Sequence, residues 1–217
     1  MISFDVRVTQ AVEKMGLALD DKQKQDILLY LELIQKWNKT YNITAIKDAE
    51  QILIQHLFDS LSVISPLQVN VDPMTEAVVL DVGSGGGLPG VVIAICCPRW
   101  SVTCIDAVEK KTSFITMVSG RLGLKNLRSK HCRIEDYAED KADLVISRAF
   151  ASLSDFANWS GHTVKQGGHL AAMKGHYHED EVKELEVSSE WQIDSWQKLE
   201  VVDMDAERCL IWLSRKG

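Results

Sequence analysis

Proline is scarce in this chain of 217 residues, with 4 against 13 glycines. That composition excludes collagen-like and proline-rich disordered classes. The five cysteines, Cys96, Cys97, Cys104, Cys132 and Cys209, are odd in number and contain no Cys-x-x-Cys. A zinc site or a disulfide framework is therefore not expected, and the cysteines read as buried free thiols. No metal is expected either from His176 and His178, which sit in an acidic stretch without further ligands. Long apolar runs are missing too. The best candidate, Val91 to Cys97, is stopped by Pro98 and Arg99, well short of the ~20 residues a membrane helix needs. The start, Met1-Ile2-Ser3-Phe4-Asp5, has no basic segment leading into an apolar one, so no secretory signal is read. These absences together predict a cytoplasmic protein. Positive charge is in deficit: 24 Lys and Arg against 31 Asp and Glu leave a net charge of −7. Non-specific nucleic-acid binding over the whole surface is thereby disfavoured.

What is present fits one large soluble unit. Apolar residues make up 46% and charged residues 25%, and a chain of this length buries roughly 70% of its unfolded surface. A monomer is expected. The charge is unevenly spread. From Glu109 to Arg133, seven basic residues (Lys110, Lys111, Arg121, Lys125, Arg128, Lys130, Arg133) face Glu109 alone, a balance of +6. From His176 to Glu207, eleven acids face Lys183 and Lys198, a balance of −9. The pattern is either two solvated faces or a basic patch for an anionic partner on an acidic body.

Residues 1–74 read as a helical region packed on the remainder, 75–217. Ile27, Leu31 and Ile34, joined by Leu28 and Trp37, recur at helical spacing, with Asp20 or Asp21 as cap. Leu53, Leu57, Leu61 and Ile64 form another stripe, capped by Asp48 and expected to stop before Pro66. Gln68 to Glu76 reads as the linker. Short apolar runs then alternate with helical ones: Ala77–Leu80, Val102–Ile105, Leu127–Cys132, Leu144–Ile146 and His169–Met173, with a helix over Glu109–Leu122. Trp191–Leu199 and Cys209–Leu213 read as a closing pair. Alternation of this kind predicts an α/β protein with a mostly parallel, Rossmann-like sheet covered on both faces. Ligands in such sheets bind beyond the carboxyl ends of the strands.

The most informative segment, Asp81-Val82-Gly83-Ser84-Gly85-Gly86-Gly87-Leu88-Pro89-Gly90, follows the first strand and opens a helix, with Pro89 suited to the first turn. Its glycines allow a tight turn and close approach to a ligand. A nucleotide-hydrolase loop would need Gly-Lys-Ser/Thr where Gly90-Val91 stands. Gly85-x-Gly87-x-x-Gly90 matches a dinucleotide fingerprint formally, but its first glycine lies well past the strand. S-adenosylmethionine is the third candidate. Loop amides would hold its amino-acid end, Asp106 its ribose, and Ile134-Glu135-Asp136 its adenine edge.

The residues named so far, with several others, resemble the bacterial RsmG/GidB family of small-subunit ribosomal RNA guanine-N7 methyltransferases. The likeness runs over nearly the whole chain. It includes Trp37-Asn38-Lys39-x-Tyr41-Asn42-Ile43-Thr44, His56-x-x-Asp59-Ser60, the glycine loop and Lys110-Lys111-x-x-Phe114. It continues through Ser147-Arg148-Ala149-Phe150-Ala151-Ser152, Lys174-Gly175 and Glu207-Arg208. The resemblance implies a seven-stranded methyltransferase sheet, S-adenosylmethionine as donor, and a guanine in the decoding region of 16S rRNA as acceptor. By position it carries over Gly83, Leu88, Ile134, Glu135 and Arg148 as cofactor residues, beside Ser84, Gly85, Gly87, Asp106 and Ala107. Two positions depart from the family pattern: Cys209 follows Arg208 where His is frequent, and Ala107 follows Asp106 where Ser is common.

Guanine N7 carries a lone pair and no proton, so its methylation needs no general base. The chain has neither an Asn/Asp-Pro-Pro-Tyr/Phe motif nor a Pro-Cys nucleophile. Arg148, after the fourth strand, is the candidate catalytic residue, holding a phosphate, the guanine O6 or the cofactor. Lys110, Lys111, Arg121 and Lys174 are candidate RNA contacts. His56, Asp59 and Ser60 are read as a structural cluster fixing the helical region to the sheet or to the Asn42–Thr44 loop. Three other readings stay open: a small-molecule methyltransferase, an NAD-dependent oxidoreductase, and a non-catalytic S-adenosylmethionine-binding ribosome-assembly factor.

Overall fold

The computed structural model describes residues 2–148, 150 and 152–217. Met1, Ala149 and Ala151 lie outside the described residues, the last two within the Ser147–Ser152 motif. The chain opens with α1 (Phe4–Lys14) and α2 (Asp21–Tyr41). Asp20 is the cap of α2: its carboxylate accepts the Gln23 amide at 2.8 Å while the Gln23 side chain accepts the Asp20 amide at 2.9 Å. Such a box adds about 1 kcal/mol. Asn42, with φ of 48°, turns the chain out of the helix.

The next helical run is not regular. It comprises α3 (Ala49–Ile52), a π-helical turn (Leu53–Phe58), α4 (Asp59–Leu61) and α5 (Ile64–Asn70). Asp48 caps its start, accepting the Gln51 amide at 2.9 Å. The run does not stop before Pro66 as the sequence suggested. Pro66 is the third residue of α5, inside the first turn, where its missing N–H would have had no intrahelical partner. The linker correspondingly shrinks to the loop after Asn70. Ala49–Asn70 is long and apolar enough, by length and composition, to cross a membrane. However, 61% of its most apolar window is buried inside the protein, and Leu53, Leu57, Leu61 and Ile64 lie in the core.

The strands are β1 (Val78–Val82), β2 (Ser101–Asp106), β3 (Leu127–His131), β4 (Ala142–Ser147), β5 (Val164–Lys174), β6 (Trp191–Lys198) and β7 (Cys209–Arg215). They form one seven-stranded sheet in the order β3-β2-β1-β4-β5-β7-β6. All pairings are parallel except the two made by β7. The helices between them are α6 (Gly90–Cys96), α7 (Glu109–Leu122), α8 (Leu153–Ser160) and α9 (Glu179–Ser188). Parallel strands need crossovers, and the crossovers cover both faces of the sheet. Strands β1 and β4 are accordingly buried almost throughout. One apolar cluster joins α1, α2 and the irregular run to α6, α7 and one face of the sheet. A second packs α8 and α9 on the other face. The direction of winding reverses between β1 and β4, which opens a crevice at the carboxyl end of β1. Cys96, Cys97, Cys104 and Cys209 are buried free thiols, while Cys132 is half-buried.

The net charges divide across the sheet. The basic run covers α7 and β3 at one edge, and the acidic run covers α9 and β6 at the other.

Candidate functional site

At the carboxyl end of β1 the chain must turn sharply into α6. The Gly83 and Ser84 amides donate to the Ile105 carbonyl at 2.9 and 3.1 Å, and the Gly87 and Leu88 amides close back on Ser84 at 2.8 and 2.9 Å. Gly87 has φ of 93°, and a Cβ there would lie 2.5 Å from Val91. At Gly90 a Cβ would lie 2.4 Å from the Cys104 sulfur. Neither position accepts a side chain without displacing its neighbours. Pro89 stands just before α6 rather than inside its first turn.

Two buried carboxylates hold the loop. Asp81 accepts the Gly90 amide at 2.7 Å. Burial pushes its carboxyl up to about 7, against the opposing pull of that amide. Asp106 accepts the Gly85 amide on one oxygen and the Val108 amide on the other, both at 2.8 Å. Lys111 approaches the first of these oxygens at 3.9 Å. From the helical region, the buried Tyr30 hydroxyl donates to the Gly86 carbonyl at 2.5 Å.

Above this loop lies a cavity of about 240 Å³. Gly83, Ser84, Gly85, Gly86 and Leu88 form one wall; Ile34, Ile43, Thr44, His56 and Arg148 form the other. The second wall is fixed by Asp59, whose side chain is 1% exposed. Its carboxylate accepts from Arg148 Nη1 at 3.0 Å and from Arg208 Nε at 2.9 Å. Arg148 Nη1 also donates to the Gln55 carbonyl at 3.1 Å, in the π-helical turn. His56 Nε2 lies 2.7 Å from the Thr44 hydroxyl. Burial, and then the nearby Arg148 charge, lower the His56 imidazole to about 4. Thus His56 reaches the Asn42–Thr44 loop while Asp59 reaches the sheet, so both alternatives read for that cluster are realised. Ser60 takes no part, its buried hydroxyl having no hydrogen-bond partner among the described residues.

The sequence-predicted residues fall into three groups. Gly83, Ser84, Gly85, Leu88 and Arg148 line the cavity. Gly87 and Asp106 brace the loop from behind. Ala107, Ile134 and Glu135 do not line it: the Ala107 carbonyl faces His131 Nε2 at 3.1 Å, Ile134 is buried and Glu135 exposed in a short 3-10 turn. Among the basic candidates, Lys110 and Arg121 are exposed on α7. Lys111 turns toward Asp106, and Lys174 pairs with Glu181 at 3.1 Å. Sequence reasoning missed Ile34, Ile43, Thr44, Gly86 and the cavity-facing position of His56. It also missed that Arg208 and Arg148 share one carboxylate. The motifs containing Thr44, Asp59 and Arg208 were visible, but nothing local indicated that they meet.

The cavity fits a ligand whose narrow end enters the glycine loop. Ser84 is buried in the wall formed by that loop, its hydroxyl beside the Cys104 thiol. A Cβ at Gly86 would close the space to 2.9 Å from Ile43. Among the described residues no group of three or more His, Cys, Asp or Glu is placed to hold a metal ion.

Comparison with known proteins assigns the chain to a family. Residues 23–211 match the family model described as rRNA small subunit methyltransferase G. A Bordetella petrii protein named ribosomal RNA small subunit methyltransferase G is 52% identical over 209 residues, covering 96% of this chain and 82% of its own. The Acidovorax sp. protein of the same name is 42% identical, covering 97% and 95%. Among solved structures, a Burkholderia thailandensis 1,6-didemethyltoxoflavin-N1-methyltransferase, crystallised with S-adenosylhomocysteine, superimposes with a TM-score of 0.60 at 14% identity, covering 87% of this chain and 89% of its own. An Aquifex aeolicus SAM-dependent methyltransferase gives 0.55 at 18% identity, covering 71% and 92%. These two show the shared fold. The dinucleotide-dependent oxidoreductase reading of the glycine loop falls away, and the chain belongs to the rRNA small subunit methyltransferase G family of S-adenosylmethionine-dependent rRNA methyltransferases.

Proposed function

We propose that the protein transfers the methyl group of S-adenosylmethionine to N7 of a guanine in the decoding region of 16S ribosomal RNA. The observation that carries this reading is the chemistry of the wall opposite the glycine loop. The carboxylate that fixes it from behind, Asp59, is committed to two arginines. The wall's one imidazole, His56, is lowered to about 4 and is a weak proton acceptor at neutral pH. Such a wall positions an acceptor but removes no proton, which suits a ring nitrogen with a free lone pair.

The cofactor, when bound, supplies a methyl group on a sulfonium centre. The Gly83–Leu88 loop and the Ser84 hydroxyl would hold its amino-acid end, and Asp106, each of whose oxygens keeps a second lone pair, its ribose. Ile134 and Glu135 are proposed to bound its adenine edge. Arg148, oriented through Asp59 and Gln55, would present its remaining N–H groups to the acceptor. Arginine normally reads guanine through O6 and N7 together. It cannot donate to N7 while that nitrogen attacks carbon, so O6 or a phosphate is its proposed contact. Lys110 and Arg121 would neutralise RNA phosphates at the basic edge.

The test uses labelled S-adenosylmethionine with unmodified 30S subunits, protein-free 16S rRNA and a ribosome-free metabolite extract. Borohydride reduction and aniline cleavage map N7-methylguanine. One cleavage in the decoding region is expected. Label in the metabolite extract alone would overturn the rRNA reading in favour of a small-molecule acceptor. Tight cofactor binding with no label anywhere would mark a non-catalytic binder.

A further inference from the structure

Beside the methyl-transfer cavity lies a second concavity, about 230 Å³, which the proposed chemistry does not use. Its floor is an aromatic pair. The Tyr177 and Trp196 rings stack with centroids 4.8 Å apart and planes inclined by 17°. Trp196 is 50% exposed although it belongs to a strand, the edge strand β6. An indole left half in solvent on a sheet edge is an uncovered hydrophobic surface. Its rim carries Lys198, His176 and Arg208 against one acid, Glu207. Glu207 is engaged by His176 at 2.7 Å. The surrounding chain is acidic, yet the lining itself is cationic. Arg208 links the two places: it lines this concavity, and its Nε is held by Asp59, the carboxylate that also fixes Arg148.

Taken with the rRNA reading above, on which this step rests, we propose that the Tyr177–Trp196 pair is a stacking platform for an unpaired base next to the methylated guanine. Sequence-specific RNA recognition targets bases splayed from loops, and aromatic rings receive them. Stacking on an aromatic ring tolerates any sequence, because every base has a π-face. The platform explains how an acidic edge engages RNA: the contact is to a base face and needs no array of phosphate contacts. The Arg208–Asp59–Arg148 contact joins the rim of this concavity to the wall of the cavity, so a base seated here would flank the reacting guanine. A base seated there also requires the target to be single-stranded on that side, so the protein would discriminate against duplex.

The test measures binding of end-labelled single-stranded and duplex oligoribonucleotides of one sequence by anisotropy across a salt series. It compares the wild-type chain with Trp196→Ala, Trp196→Phe and Tyr177→Ala, and methylation of 30S subunits is followed in parallel. The platform predicts preference for the single strand and a loss of roughly tenfold in affinity for Trp196→Ala. Trp196→Phe keeps most of it, and the salt slope is unchanged because no phosphate contact is lost. KM for the subunit rises in Trp196→Ala while kcat holds. Trp196→Ala binding like wild type, while the wild-type chain methylates rRNA, would overturn the platform and leave the methyltransferase reading standing. Equal loss in Trp196→Phe and Trp196→Ala, or a changed slope, would also overturn it. If the wild-type chain transfers no methyl to rRNA, the reading above falls, and the oligonucleotide series still decides the platform.

Discussion

The two walls of the cavity are built by different means. The glycine-loop wall is backbone, shaped by residues close in sequence: Asp81 and Gly90 are nine apart, Gly85 and Asp106 twenty-one apart. The arginine wall is side chain, assembled from distant segments: Asp59 lies 89 residues from Arg148 and 149 from Arg208. Burial acts on both walls in the same sense, favouring the uncharged form: it raises the Asp81 carboxyl and lowers the His56 imidazole. The loop is a shape that adjacent residues can specify. The paired arginines are a charge arrangement that only the folded chain brings together.

The largest effect is expected where the arginine wall is changed. Arg148→Lys keeps the charge but loses the guanidinium plane, whose Nη1 meets Asp59 and the Gln55 carbonyl while Nη2 lies 3.5 Å from His56 Nδ1. A loss of about a hundredfold in kcat is expected, roughly 3 kcal/mol of transition-state positioning. Affinity for S-adenosylmethionine, read by calorimetry, should change little. The division between walls would break if Arg148→Lys instead lost the cofactor and kept its turnover at saturation.

The next effect concerns pH. The Asp81 carboxyl, raised from 3.8 to about 7, favours folding below pH 3.8 and loses that contribution as pH rises toward 7. The His56 imidazole, lowered from 6.5 to about 4, favours folding above pH 6.5 and loses that contribution as pH falls toward 4. They are worth roughly 4 and 3 kcal/mol respectively over their windows, and they oppose one another. Asp81→Asn should therefore lose stability on acidification, and His56→Gln should gain it, relative to a flatter wild type. Urea midpoints across that range check this, and parallel slopes in both variants would contradict it.

A smaller effect is expected at Gly87→Ala. The positive φ and the 2.5 Å approach to Val91 leave no strain-free place for a methyl group. About 2 kcal/mol of stability should be lost, lowering Tm by roughly 4–8 °C. Gly85→Ala also meets a positive φ, but nothing lies within 4 Å of its Cβ, so it should cost less. Equal losses would show that φ alone, and not packing, shapes this wall.

The same contrast explains what was legible beforehand. Strands β1, β2, β4 and β7 were visible as apolar runs, because strands buried on both faces leave that signature, whereas the exposed edge strands β3 and β6 carry a weaker one. The glycine loop was legible for its local chemistry, and Asp106 by its place after the second strand. The π-helical turn at Leu53–Phe58 was not: its residues carry the same apolar stripe that an α-helix would. Nor was the passage of the run through Pro66, which depends on a break at Ser62–Val63 that no residue there announces. Arg148 was singled out by position, but its orientation depends on Asp59. A buried aspartate at helical spacing looks the same whether its partner is one turn or half a chain away. His56 was read as structural on that ground, although it also forms part of the cavity wall.

The finest distinction separates two neighbouring lysines. Lys110 and Lys111 look alike in sequence as a basic pair, and both are candidates for RNA phosphates. The structure divides them: Lys110 is exposed on α7, while Lys111 turns back toward Asp106 at 3.9 Å. If Lys110 meets a phosphate, Lys110→Ala should flatten the dependence of RNA affinity on salt by about one unit of log–log slope. Lys111→Ala should leave that slope nearly unchanged. It should instead weaken S-adenosylmethionine binding modestly, because the Asp106 carboxylate loses its neighbouring cation. Filter binding over a salt series and calorimetry with the cofactor separate the two effects. Equal slopes for both variants would mean that Lys111 leaves Asp106 when RNA arrives, so that the acid steadying the glycine loop changes its company at the moment the acceptor enters.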